Sequence, residues 1–68
     1  MKVNVFIERE RKDVEIELKD NSTVKDLLKI LKINPVTVIT TINDEVITED
    51  YKLNDKDKIE IHSVVSGG

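Results

Sequence analysis

The 68-residue sequence predicts a single α+β domain, with one helix packed on one face of a mixed sheet of four to five strands. Three features lead to this. Short runs of alternating apolar and polar residues recur along the chain, as half-buried strands require. The segment 24–31 alone shifts to helical spacing. It follows two strand-like runs and precedes three more, giving the order β-β-α-β-β-β.

The first run places Val3, Val5 and Ile7 on one side and Lys2, Asn4 and Phe6 on the other. A charged stretch, Glu8-Arg9-Glu10-Arg11-Lys12-Asp13, reads as a solvated turn. Val14, Ile16 and Leu18 then alternate with acids and lysine, and the short link favours an antiparallel hairpin. At Asn21-Ser22-Thr23 the period changes. Val24, Leu27, Leu28 and Leu31 fall at i, i+3, i+4 and i+7, one face of a helix. Thr23 suits the N-cap, and Asp26 complements the helix N-terminus. Asn34-Pro35 is expected to end the helix, since the residue before proline is pushed out of the α region.

The β-branched run from Val36 to Ile42 is the third strand, with Val36, Val38, Thr40 and Ile42 facing inward. Asn43-Asp44 makes a tight turn into the short fourth strand, Glu45-Val46-Ile47. Tyr51 and Leu53 are expected to plug one end of the core. After the turn Asn54-Asp55-Lys56-Asp57, Ile59 and Ile61 alternate with Lys58, Glu60 and His62 in the last strand. A crossover after the second strand fits parallel pairing of the first and last strands, as in a β-grasp. Residues 1–65 are expected to form the folded domain and 66–68 a flexible tail.

Composition narrows the function. Charged residues make up 37% of the chain and the net charge is −3, which opposes nonspecific nucleic-acid binding. Phe6 and Tyr51 are the only aromatics, too few for a base-stacking platform. With no cysteine, thiol redox chemistry and thiolate metal sites are excluded. No apolar run approaches membrane-spanning length, and no signal peptide is visible, so a cytoplasmic location and no membrane contact are expected. The pairs Asp44/Glu45, Glu49/Asp50 and Asp55/Asp57 lack calcium-loop spacing, and they read as turn acids with no metal. His62, the single histidine, has no Ser, Cys or carboxylate constellation expected around it, so no catalytic residue is assigned.

The most informative feature is the end. The only two glycines are Gly67 and Gly68, where no turn needs them. A Gly-Gly end is thin and ranges widely in backbone angle, so it suits insertion into a narrow enzyme cleft. Ser22-Thr23-Val24-Lys25-Asp26-Leu27-Leu28, Thr41-Ile42-Asn43-Asp44-Glu45-Val46-Ile47 and Leu53-Asn54-Asp55-Lys56-Asp57-Lys58-Ile59-Glu60-Ile61 follow in order before it. With these pieces the chain resembles the ubiquitin-like sulfur carriers of the ThiS/MoaD family and the related small archaeal modifier proteins. Asp44 and Lys56 stand where that family often has glycine.

The resemblance implies a carried substrate rather than an enzyme. An E1-like partner would use ATP to adenylate the Gly68 carboxylate, with no cofactor bound by the chain itself. Sulfur transfer would then leave a thiocarboxylate for a sulfur-accepting synthase in the thiamine, molybdopterin or tRNA-thiolation pathway. Attack by a target lysine would instead make an isopeptide, the alternative of a protein modifier. A non-covalent β-grasp interaction or RNA-binding module is the third alternative, with charge and aromatic content against it. Gly67 and Ser66 would set the approach and reach of the tail. Phe6, Ile39, His62 and Val64 fall on the strand faces opposite the core and are the candidate partner-binding residues. The free chain is expected to be a monomer.

Overall fold

The computed structural model describes residues 1–64. The two arms of the first hairpin are β1 (Lys2–Ile7) and β2 (Lys12–Glu17), paired antiparallel from Lys2↔Glu17 to Ile7↔Lys12. A single 3-10 turn, Glu8–Glu10, links them and closes through Arg11 in the left-handed region. The helix α1 (Val24–Leu31) follows, then β3 (Val38–Ile42), β4 (Glu45–Ile47) and β5 (Lys58–Ser63). The sheet order is β2-β1-β5-β3-β4, with β1 and β5 parallel at the centre and the other pairs antiparallel. This is the β-grasp arrangement, with five strands.

Alternation explains the core. Val3, Val5 and Ile7 on β1 and Ile59 and Ile61 on β5 point to one face, and Val24, Leu27 and Leu28 of α1 cover it. Leu18 and Leu53 complete the buried set. A core of this size supplies only about 3–5 kcal/mol of net stability, so individual caps and turns matter.

The helix N-terminus is one such device. The Thr23 N–H donates to Asp26 Oδ2 at 3.0 Å, and the Asp26 N–H donates to Thr23 Oγ1 at 3.4 Å, a reciprocal capping box. The backbone bond from Thr23 is the main reason the Asp26 carboxyl is held below its ordinary value of 3.8. Desolvation opposes this, while the Thr23 hydroxyl, Lys29 and Lys25 support it. A carboxyl depressed in the folded state contributes stability above its unfolded pKa and loses it as pH falls through the folded one. Asp26→Ala is therefore expected to lower the melting temperature at neutral pH. The gap from the parent should close as pH drops below the carboxylate range. A gap that stays constant with pH would show that the Asp26 charge is not what stabilises the helix start.

The structure corrects three expectations. The helix does not run to Asn34-Pro35 but stops at Leu31. There Lys32 turns left-handed (φ 59°), and the N–H groups of Lys32 and Ile33 bond back to Leu28 O. Val36 does not face inward on a strand. Pro35 opens a second 3-10 turn, Pro35–Thr37, in which the Asn34 side chain accepts from the Val36 N–H at 3.0 Å, leaving Val36 83% exposed. Tyr51 is largely at the surface, and Leu53 alone closes that end of the core.

Every left-handed corner among the described residues is built without glycine. Asn43 and Asp44 both have positive φ (51° and 66°), the type I′ geometry of a two-residue hairpin. Lys56 has φ 68° and donates its N–H to Lys2 O at 2.7 Å. Asp57 is engaged within its own turn, accepting the Asn54 N–H at 2.8 Å, and Asp55 accepts the N–H of the distant Lys2 at 2.9 Å. A lysine Cβ in this conformation costs about 1–2 kcal/mol, while glycine adds unfolded-state entropy worth roughly 0.5–1. Lys56→Gly keeps the N–H and should raise stability by up to about 1 kcal/mol, some 4–8 °C in melting temperature for a domain this small. A fall in melting temperature on this substitution would show that the Lys56 side chain contributes packing that outweighs its strained backbone.

Candidate partner-docking face

The face of the sheet away from α1 carries the even-numbered residues of β1 and β5. Register orders it into rows. Phe6 lies between Asp13 on β2 and Glu60 on β5, and Glu60 is followed across the sheet by Thr41 and Val46. His62 pairs with Ile39 in the next row. Val64 continues the line of β5, its N–H bonded to Thr37 O at 2.9 Å. Ile39 and Val64 are 43% and 44% exposed, while Phe6 and His62 are half-buried.

The structure thus brings Ile39 and His62 side by side and sets Phe6 one row away, with Glu60 interrupting the apolar surface. Ser66, Gly67 and Gly68, assigned above to the reacting tail, lie outside the described residues.

His62 is not isolated, contrary to the sequence reading. Its Nδ1 lies 2.6 Å from Glu8 Oε2, its Nε2 3.1 Å from Thr41 Oγ1 and 4.0 Å from Glu60 Oε2. With Glu8 accepting at Nδ1, Nε2 accepts from the Thr41 hydroxyl when the ring is neutral and donates to it when the ring is charged. The order carboxylate, imidazole, hydroxyl matches that of a nucleophilic triad. Its surroundings do not. Thr41 is only 8% exposed and lies within paired β-structure on both sides. The trio orders the ring on a flat sheet surface.

Two contributors escaped the sequence reading. Val46, 71% exposed, extends the same face at the sheet edge. Alternation with inward-leaning Ile47 was the available signal. Glu8 was read as part of a solvated turn. Only the parallel register Ile7↔Ile61 shows that the next residue along β1 reaches His62.

Among the described residues no group of three or more His, Cys, Asp or Glu side chains is arranged to hold a metal ion, and no helix is long and apolar enough to cross a membrane.

Comparison with known proteins gives a consistent result. The chain superposes on the crystal structure of SAMP1 from Haloferax volcanii with a TM-score of 0.77 at 15% identity, over 100% of both chains. It superposes on Caldiarchaeum subterraneum ubiquitin with a TM-score of 0.73 at 20% identity, over 100% of this chain and 98% of the other. At that identity the likeness concerns the fold. In sequence it is 36% identical over 59 residues to the sulfur carrier protein TtuB of Thermus thermophilus, covering 87% of this chain and 88% of the relative. The ThiS family model matches residues 3–68, the whole domain and the diglycine end together, and the chain belongs to the ThiS family.

Proposed function

We propose that this protein is a sulfur carrier whose reacting group is the α-carboxylate of Gly68. The observation that carries the reading is the family match running through Gly68, supported by the 36% identity to a sulfur carrier. A carboxylate is ionised at neutral pH and resists nucleophilic attack. In the proposed sequence its oxygen attacks the α-phosphate of ATP and expels pyrophosphate, leaving an acyl adenylate. Hydrosulfide then attacks the acyl carbon, AMP leaves with the C–O–P oxygen, and a proton is released. The product is a thiocarboxylate. An E1-like partner enzyme binds the ATP, and this chain supplies the acyl group and the surface by which it is held. A sulfur-accepting enzyme consumes the product.

Intact mass of the protein isolated from its native cells tests this. A species about 16 Da heavier, from exchange of one carboxylate oxygen for sulfur, is expected and should be lost on alkylation of the thioacid. Finding only the parent mass while a sulfur donor and ATP are plentiful would remove the reading. Conjugation to lysine amines uses the same carboxylate, and the ubiquitin-like archaeal neighbours fit it. Ladders of heavier, isopeptide-linked species in the same extract would favour that alternative.

The outer sheet face is the proposed grip for the activating enzyme. Ile39 lies on it beside His62. Ile39→Asp places a charge on a surface that binding would desolvate, and should weaken the complex by about 1–2 kcal/mol or more. Its own melting should change by no more than about 0.5 kcal/mol. Unchanged binding in a titration would move the docking site elsewhere.

A further inference from the structure

Phe6 stands on the solvent side of β1, where alternation turns it away from the core. It is only half-buried, and it lines a shallow hollow of about 500 Å3 together with Asn4, Asp13, Lys58, Ile59 and Glu60. Register sets Asp13 of β2 directly beside Phe6 on one flank and Glu60 of β5 directly beside it on the other. Adjacent strands lie about 5 Å apart, so the two acidic residues straddle the ring at a backbone separation of about 10 Å.

Both carboxylates are available. Among the described residues Asp13 has no ion-pair partner, and Glu60 has only His62 Nε2 at 4.0 Å, in a ring whose Nδ1 is already held by Glu8. The next acid along β2, Glu15, is paired with Lys2 at 3.9 Å. Lys58 is the one cation lining the hollow, against two carboxylates. The face of an aromatic ring is itself negative. An apolar group seated here would desolvate Asp13 and Glu60 without pairing them, which is costly, and an acidic group would be repelled. A cation satisfies the ring and both acids at once. A guanidinium does so better than an ammonium, because it is planar, stacks on an aromatic face and directs N–H groups to both sides.

We propose that the hollow over Phe6 receives an arginine side chain of the activating enzyme. The inference rests on the outer face being the grip for that enzyme, and it adds what the enzyme presents there. The guanidinium lies over the Phe6 ring and donates to Asp13 and Glu60. Lys58 opposes it from the same hollow. The apolar groups Val46 and Ile39 lie further across the sheet and make the uncharged part of the contact.

Calorimetric titration of the full chain against the activating enzyme at low salt tests it. Asp13→Asn and Glu60→Gln should each weaken binding about two- to five-fold, and Lys58→Gln should strengthen it. Phe6→Leu, which keeps an apolar group but removes the ring, should weaken binding at least about two-fold. Added salt should weaken the parent complex more steeply than that of the Asp13→Asn/Glu60→Gln double variant. Asp13 and Lys58 are exposed and Glu60 is half-buried, so the charge variants should keep the fold, which melting curves verify. Peptide mapping after phenylglyoxal treatment should find an enzyme arginine that is protected by the parent chain and less protected by the double variant. Charge variants that bind like the parent, while Ile39→Asp binds weakly, would overturn the cationic occupant and leave the outer face as the grip. If Ile39→Asp also binds like the parent, the reading of the face falls and this inference with it. Weakened binding with no arginine protected would overturn the identity of the occupant.

Discussion

Removal of Gly67 and Gly68 is expected to abolish ATP-dependent activation by the partner enzyme while leaving the melting temperature within about 1–2 °C, since chain ends contribute little to global stability. The truncated chain still ends in an ionised carboxylate, so the loss would be one of geometry. Two residues fewer shorten the reach by about 7 Å, and the new terminal residue, Ser66, carries a side chain where glycine had none. Misplacement by about 1 Å can cost 10²-fold in rate, and several ångströms leave the carboxylate short of the nucleotide. Pyrophosphate exchange with the activating enzyme reads the effect directly. Ser66→Ala, which preserves length, should retain exchange. If the truncated chain exchanges as fast as the parent, the reacting group is not the Gly68 carboxylate. If truncation lowers the melting temperature by many degrees, the diglycine end belongs to the fold.

Much of the fold is written in the sequence because burial here follows simple periods. Val3, Val5 and Ile7, and again Ile59 and Ile61, alternate with polar residues because each strand shows one face to α1 and the other outward. The same parity places Ile39 and His62 on the outer face. What was not legible depends on local competition or on distant register. The pre-proline restriction does hold at Asn34, which is extended (ψ 119°), yet the helix has already closed at Lys32. A lysine in the left-handed region carries no sequence mark, so the earlier stop was invisible. Pro35 with the Asn34 side-chain bond opens a 3-10 turn and delays β3 to Val38. Periodicity alone had assigned Val36 to the strand. Glu8 and His62 lie 54 residues apart in the chain, and their contact exists only through the parallel pairing of β1 and β5.

That register also orders the outer face proposed above as the docking surface. The ring of His62 is tied to Glu8 on one side and to Thr41 on the other, so its orientation beside Ile39 is set before any partner arrives. Pre-ordering of this kind lowers the entropy lost on binding. Glu60 breaks the apolar surface between Phe6 and the His62 row. The face therefore offers small apolar patches with a fixed polar pattern, a form that favours selective contact over general stickiness.

Leu28→Ala is expected to cost about 2–5 kcal/mol, the range for a buried leucine truncation. Leu28 is 2% exposed and lies on the one helix that covers the inner face of the sheet. The truncation removes methyl groups and leaves a cavity that a single helix, tied at its start by the Thr23 cap and at its end by Lys32, cannot easily collapse to fill. Because a domain this small holds only about 3–5 kcal/mol in reserve, the variant should be largely unfolded near room temperature or melt many degrees earlier. The control is Ile30→Ala on the same helix. Ile30 is 53% exposed, and alanine favours the helix, so its effect should stay within about 0.5 kcal/mol. Urea denaturation of both variants separates the cases. An unchanged midpoint for Leu28→Ala would mean that the helix rests on the sheet through a different face. Equal losses in the two variants would mean that helix formation itself, rather than the packing of Leu28, limits the stability of this domain.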